Sequence, residues 1–258
     1  MAEKLMPVAF LGHGSPMWAI EPNPYVEPWA QLAAELPRPK AILCISAHWY
    51  TNGTGVTAME RPRTIHDFGG FPQALFDVEY TAPGDPALAA RVADLLKPAH
   101  VVLDQQWGLD HGTWCLLRRI YPEADIPVIQ LSIDATKPNA FHYELGQRLA
   151  PLRDEGVLIL GSGNIVHNLS MLKFDDQTPY DWARSFSDSV KDHIASGEHA
   201  PLIDYLSMGR RAELSAPTPE HYLPLLYVLG AIRPEDKITF PIEGFEAGSL
   251  SMLSILAR

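Results

Sequence analysis

The chain of 258 residues has little positive charge, few cysteines and no long apolar run. Twenty lysines and arginines stand against 31 aspartates and glutamates, and the net charge of −11 disfavours binding to nucleic acid or to an anionic membrane surface. Cys44 and Cys115 form no CxxC pair, so we predict reduced thiols in the core. No apolar run could span a bilayer and no signal-peptide pattern is visible, so we expect a cytoplasmic protein.

Three common catalytic and nucleotide-binding motifs are also missing. The chain has no GxxxxGK[ST] loop, and no GxGxxG segment opens a helix after the first predicted strand. The segment "LGSGN" lacks the glycine that a nucleophile elbow would need at Leu160. These absences disfavour a P-loop enzyme, a dinucleotide-binding domain and a serine hydrolase.

Short apolar runs alternate with amphipathic segments along the whole chain. Short runs that are apolar on both faces are typical of buried strands in a mainly parallel sheet. The predicted strands cover 7–12, 41–47, 55–59, 100–106, 126–133, 156–162 and 238–244. The predicted helices cover 25–37, 85–98, 140–156, 180–197 and 219–232. This alternation predicts a single α/β domain over residues 1–258, with a central mainly parallel or mixed sheet flanked by helices.

Ten histidines are many for a chain with so few lysines and arginines. His13, His48 and His167 each follow an apolar strand, and ligands of open α/β sheets bind beyond the carboxyl ends of strands. His111 in "DHG" and His221 in "PEH" are further candidates. Neutral imidazole suits Zn, Fe, Cu and Ni, and scattered ligands favour a catalytic metal site with open positions. A lone histidine at a strand end is more often structural, so the prediction depends on the joint pattern.

The segment "TIHDFGGFP" (64–72) is too apolar for a solvated loop. We interpret it as an ordered aromatic wall beside a pocket, and the alternative is a packed loop in which His66 makes an ordinary hydrogen bond. On the first interpretation His66, Phe71 and Ser15 contact the substrate.

Six blocks of the sequence occur in a known order. The blocks are "GHGSP", "SAHW", "TIHDFGGFP", "DHGTW", "GSGNIVHNL" and "PTPEHYLPLLYVLGA". They resemble the class III extradiol ring-cleavage dioxygenases, in particular the branch of 4,5-DOPA dioxygenase extradiol-like proteins. The resemblance extends from residue 12 to about residue 231.

The resemblance implies a non-haem metal in a cleft, with His13 and His48 as ligands. A late third ligand is expected at His221, with the adjacent Glu220 as its rival. His167 corresponds to the acid/base histidine and is also a candidate fourth ligand, while His111 corresponds to a second catalytic histidine in the pocket.

The implied reaction is extradiol cleavage of a catechol, such as L-DOPA, by O₂ to a muconic semialdehyde. The implied cofactor is Fe(II), and Zn(II) can occupy the same site. The expected partners are the catechol and O₂, and the expected state is a monomer or small homo-oligomer. Two alternatives stay open: a zinc-dependent hydrolase on the same scaffold, and a non-catalytic protein that binds a metal or an aromatic metabolite.

Overall fold

A mixed sheet of eight strands forms the centre of the computed structural model, which describes residues 5–258. The sheet strands are β1 (Val8–Gly12), β2 (Ala41–Thr51), β3 (Thr54–Thr57), β4 (Val101–Asp104), β5 (Val128–Asp134), β6 (Val157–Gly163), β7 (Ile238–Thr239) and β10 (Ile255–Ala257). Their spatial order is β4-β3-β5-β2-β6-β1-β10-β7. A separate hairpin joins β8 (Phe245–Glu246) to β9 (Leu250–Ser251).

The four central strands β5, β2, β6 and β1 run parallel to one another. Their carboxyl ends therefore meet along one edge of the sheet, where ligands of such sheets bind. β3 joins this set through an antiparallel bridge to β5, and β10 pairs antiparallel with β1. The prediction of an α/β domain with a mainly parallel or mixed sheet is confirmed.

Helices cover both faces of the sheet and bury two apolar clusters against it. The helices are α1 (Val26–Glu35), α2 (Gln73–Phe76), α3 (Pro86–Leu95), α4 (His111–Ile120), α5 (Asn139–Leu149), α6 (Asp181–Ser196), α7 (Ala200–Ile203), α8 (Arg210–Ser215) and α9 (Leu223–Ala231). Helices α3, α5, α6 and α9 contribute to one cluster, and α1 and α4 to the other. Among residues 5–258, no helix combines the length and hydropathy that a membrane span requires.

Several elements differ from the sequence-based expectations, three of them at the sheet and the histidines. The predicted strand over 238–244 is wrong in extent, because only Ile238–Thr239 is strand and Pro241 has no N–H to donate to a ladder. β2 continues to Thr51, so His48 lies within this strand rather than beyond its end. Helix α4 was not predicted, although Asp110 caps it by accepting a hydrogen bond from the Thr113 N–H at 3.2 Å.

A buried ion pair ties the sheet to the segment after α9. The Arg153 guanidinium is fully buried and donates to both carboxylate oxygens of Asp236, as well as to the carbonyl oxygens of Met6 and Ala231. Each donor of such a group needs a partner, since an unpaired charge in the interior is strongly unfavourable. The pair therefore fixes the chain around the amino end of β1.

We expect Asp236→Ala to lower the free energy of unfolding by about 3–5 kcal/mol, because it leaves the Arg153 charge buried without its counterion. The measurement is denaturant unfolding followed by circular dichroism. The matched control is Glu155→Ala, which removes the half-exposed pair with Arg91 and should cost far less, because solvent screens that pair. Equal losses in the two variants would contradict this account of the buried pair.

Candidate active site

Five histidines from different parts of the chain surround one cavity of about 540 Å³. They are His13, His48, His111, His167 and His221. Ring nitrogens of His13, His48 and His111 lie within 4.8 Å of one another. The His221 ring centre is 5.3 Å from that of His13 and 5.0 Å from that of His48. A larger and more open groove of about 700 Å³ lies beside β3 and β4, but none of these five histidines lines it.

Hydrogen bonds fix which nitrogen of His13 faces its neighbours. The Ser162 hydroxyl donates its single proton to the Gly112 carbonyl oxygen at 2.6 Å, so at 2.9 Å from His13 Nδ1 it accepts. The proton of neutral His13 therefore resides on Nδ1, and Nε2 carries a lone pair. His13 Nε2 lies 3.1 Å from His48 Nε2. If both nitrogens bound one metal ion at about 2.1 Å, with an N–metal–N angle of about 90°, they would lie about 3 Å apart, close to the separation seen here.

Asp67 faces the Nδ1 atoms of two of the histidines, His111 and His48. One carboxylate oxygen accepts from the His111 backbone N–H at 2.9 Å, and the other lies 2.9 Å from His111 Nδ1 and 3.7 Å from His48 Nδ1. Burial alone would raise the pKa of Asp67, but the hydrogen bonds from His111 lower this pKa below its ordinary value. An ionised carboxylate behind an imidazole directs its other nitrogen towards the cavity.

His221 presents an unpartnered nitrogen to the same space. Its Nδ1 lies 3.4 Å from the Glu220 carboxylate, and its Nε2 is buried without a hydrogen-bond partner. The His167 ring stacks on it, with the ring centres 3.4 Å apart and the planes 5° from parallel. A buried nitrogen without a hydrogen-bond partner is unfavourable unless a group from outside the chain, such as a cation, binds it.

Two glycines allow these histidines to approach. A Cβ on Gly112 would lie 2.5 Å from Ser46 Oγ and 2.8 Å from His48 Cδ2, so a side chain here would displace the start of α4 from β2. A Cβ on Gly163 would collide with the backbone carbonyl of His221. These glycines therefore let Ser46, His48 and the His221 backbone approach closely.

Burial keeps most of the imidazoles neutral at pH 7. Burial, followed by repulsion from neighbouring imidazoles, holds the pKa values of His13 and His221 well below their ordinary range. Burial also lowers the pKa of His48 to about 3 and that of His167 to about 4. Since metal ligands must be deprotonated, these histidines are ready to bind a cation without first losing protons.

The predicted substrate-contact residues divide into two groups. Ser15 and Phe71 line the cavity, whereas His66 is not among the lining residues. His66 Nε2 lies 3.0 Å from the Val78 carbonyl oxygen, and its ring packs on Phe68, which does line the cavity. The alternative of a packed loop therefore describes His66 better, and the aromatic wall consists of the phenylalanines.

Sequence reasoning missed the groups that orient the histidines. Asp67 stands next to His66 in the quoted "TIHDFGGFP" block, and Ser162 lies in "GSGNIVHNL", but neither was singled out. A carboxylate inside a histidine-bearing block was an available signal for Asp67. Nothing in the sequence indicated that Ser162 on β6 meets His13 on β1, because that contact depends on the parallel register that pairs Leu11 with Ser162.

Comparison with known proteins agrees with this geometry. The family model described as the catalytic LigB subunit of aromatic ring-opening dioxygenase matches residues 8–249. The chain belongs to this family. A protein of Escherichia coli K12 named 4,5-DOPA dioxygenase extradiol is 56% identical, with 99% of this chain and 96% of that protein covered. A Beta vulgaris protein of the same name is 39% identical, with 94% and 92% covered.

A solved structure shows the same fold. The crystal structure of an uncharacterized protein from Escherichia coli K12 superposes with a TM-score of 0.86 at 51% identity, covering 98% of this chain and all of that one. The resemblance to ring-cleavage dioxygenases is thereby confirmed, and the chain is an extradiol ring-opening dioxygenase. Enzymes of this class use a small aromatic substrate and O₂, and the cluster of His13, His48 and His111 has the spacing of a group that could hold a metal ion.

We expect Ser162→Ala to weaken Zn(II) binding about 10- to 100-fold, because the acceptor that keeps the His13 proton on Nδ1 is lost. Competition with a chromogenic chelator measures this affinity. Ser215→Ala is the matched control, since the Ser215 hydroxyl is buried but has no hydrogen-bond partner. Unchanged Zn(II) affinity in Ser162→Ala, or an equal loss in the control, would show that Ser162 does not orient His13.

Proposed function

We propose that this enzyme opens the ring of catechols that carry DOPA-like side chains. The ring is cut beside the two hydroxyl groups rather than between them, with O₂ as the oxidant and a muconic semialdehyde as the product. The observation that carries the proposal is the cluster of largely buried imidazoles that line a cavity of about 540 Å³ together with aromatic side chains. Relatives that are 56% and 39% identical carry the name 4,5-DOPA dioxygenase extradiol, which supports this substrate class. Both oxygen atoms of O₂ enter the product, so the reaction needs no external reductant.

The metal ligands in this proposal are His13, His48 and His221. The facing Nε2 atoms of His13 and His48 and the unpartnered Nε2 of His221 support the assignment. Glu220 is disfavoured because its carboxylate accepts from the Thr218 hydroxyl at 2.7 Å, lies on the Nδ1 side of His221, and does not line the cavity.

Fe(II) is the proposed ion for ring cleavage. When held by these histidines, Fe(II) would supply the redox chemistry that ring cleavage by O₂ requires, whereas Zn(II) has no redox chemistry and would fill the site without supporting turnover. A set of three neutral imidazoles accepts either ion.

His167 and His111 are the proposed proton carriers. Burial lowers the pKa of His167 to about 4, so its imidazole is neutral at pH 7 and has a lone pair that accepts a catechol proton. His111 faces the same cavity with Nδ1 on Asp67, and this carboxylate stabilises a positive charge on the ring. His111 therefore can hold a proton near the reacting oxygen atoms. His167 as a fourth ligand is the alternative, since its ring stacks on His221.

Phe71 and Ser15 are the proposed substrate contacts. Both line the cavity, and Phe71 packs edge-to-face on Phe68 with ring centres 5.4 Å apart. An aromatic wall of this kind orients a flat ring by contact with its face or edge.

The function is tested by reconstituting the metal-free protein with Fe(II) without air, adding L-DOPA and then admitting air. We expect oxygen uptake and a yellow semialdehyde product, and the same protein loaded with Zn(II) should give neither. Oxygen electrode and absorbance readings follow the two signals. Turnover of ester or amide substrates with Zn(II) but no oxygen uptake with Fe(II) would favour the zinc hydrolase. Metal binding without any oxygen uptake across a catechol panel would favour a non-catalytic binding protein.

Single histidine variants test the assignment of roles. We expect His221→Ala to lose bound metal and oxygen uptake together, because it removes a ligand. His167→Ala should keep its metal while kcat falls by about 10²- to 10⁴-fold, the range for loss of a proton-transfer group. His193→Ala is the control, because His193 pairs with Glu198 outside the cavity. Metal content by mass spectrometry gives the decisive reading, and metal loss in His167→Ala would make His167 a ligand.

A further inference from the structure

The β8–β9 hairpin forms part of the wall of the active-site cavity. Glu246, Ala247 and Leu250 of this hairpin line the cavity. Its turn places two consecutive residues at positive φ, 46° at Ala247 and 75° at Gly248. Alanine is an unfavourable residue for this conformation, which is ordinarily adopted by glycine, asparagine or aspartate.

Hydrogen bonds from a neighbouring segment hold this turn in place. The Ala247 N–H donates to the Gln177 side-chain oxygen at 2.7 Å, and the Ala247 carbonyl accepts from the Lys173 N–H at 2.8 Å. The Gly248 carbonyl accepts from the Tyr180 N–H at 3.0 Å. A strained conformation persists where surrounding contacts determine it, and such positions cluster at ligand-binding sites. The backbone that carries the Glu246 side chain is therefore held in a defined conformation.

The cavity has one carboxylate and no basic side chain besides its histidines. Among the residues of the described chain that line it, Glu246 is the only aspartate, glutamate, lysine or arginine. Lys173 lies in the adjacent segment, but its ammonium group is 3.4 Å from the Asp176 carboxylate and 3.9 Å from the centre of the Tyr180 ring. The side-chain end of a bound substrate would thus meet negative charge without a compensating cation.

The Tyr25 ring lies beside the Glu246 carboxylate and packs on Trp18, a further lining residue, with ring centres 5.3 Å apart. The carboxylate has acceptor positions available for an ammonium group. Burial raises the pKa of Glu246, which the neighbouring Tyr25 hydroxyl partly offsets.

The distance of Glu246 from the histidines suits an interaction with the side chain of a bound catechol rather than with its ring. Glu246 pairs with Leu250 across the hairpin, and Leu250 in turn bridges to His167. Two strand spacings of about 4.8 Å place the Glu246 backbone about 10 Å from that of His167. A catechol bound at the histidines and carrying a short alkyl amine would direct its nitrogen towards Glu246.

We propose that Glu246 is a specificity-determining residue that selects catechols whose side chain carries a positively charged amine and disfavours those whose side chain carries only a carboxylate. The inference rests on the proposed function, because it assumes that the catechol ring binds at the histidines. Trp18 and Phe71 line the same cavity, and aromatic faces add a favourable interaction with an ammonium group.

The test compares three catechols of similar size that differ in charge. Zn(II)-loaded protein, in which binding is separated from turnover, is titrated by calorimetry with dopamine, 4-ethylcatechol and 3-(3,4-dihydroxyphenyl)propionate. We expect dopamine to bind about three- to tenfold more tightly than 4-ethylcatechol, and the propionate to bind more weakly than either. Glu246→Gln should remove the preference for dopamine, and Glu246→Lys should reverse it in favour of the propionate.

The matched control is Glu243→Gln, which removes a carboxylate three residues away that pairs with Lys191 outside the cavity. This variant should keep the wild-type order of affinities. Equal affinities for the three catechols in the wild-type protein, or an order that Glu246→Gln leaves intact, would overturn the role of Glu246 while leaving the proposed function standing. Failure of all three catechols to bind, together with no oxygen uptake by the Fe(II)-loaded protein, would overturn the proposed function and this inference with it.

Discussion

The crowding of neutral imidazoles around one buried space is the constraint on which the rest of the site depends. His13 Nε2 and His48 Nε2 lie 3.1 Å apart, so without a cation the neutral His48 ring must carry its proton on Nε2 and donate it to His13. A further proton on either ring is disfavoured, because burial and the neighbouring imidazoles lower the pKa values of these histidines. A cation can bind both nitrogens once the His48 proton moves to Nδ1, which faces Asp67, so the arrangement is suited to metal binding.

The polar groups behind the histidines make this arrangement specific. Ser162 and Asp67 each engage the Nδ1 side of an imidazole and leave Nε2 to the cavity. They arise from β6 and from the loop before α2, so the orientation of the site depends on elements that are distant in sequence. Asp110 extends this network: its carboxylate accepts from the Ser46 hydroxyl at 2.7 Å while it caps α4, and burial raises its pKa to about 6.

The sequence predicts much of the fold because the apolar runs of the central strands are buried on both faces and leave little ambiguity. The four central parallel strands and five of the helices follow the predicted segments within a few residues, except that α9 begins at Leu223 and α5 ends at Leu149. The two-residue strands β8 and β9 are too short to show a periodicity. Helix α4 was not predicted because it begins with a histidine and a glycine, which are weak helix formers. The cytoplasmic location and the monomeric or small homo-oligomeric state stay predictions.

For the site, the positions of the histidines after the strands and the family resemblance indicated which imidazoles converge, but they could not assign a tautomer or a partner. Those properties depend on sheet register, as the Leu11–Ser162 pairing shows.

The strand pairing also affects the order in which the sheet can form. The strand that carries the first histidine, β1, is completed on its other side by β10, where Val8 pairs with Ala257. A nascent chain emerging from the ribosome cannot close this side of the sheet until almost everything between them has been synthesised, so assembly of the centre is a late, long-range event in folding.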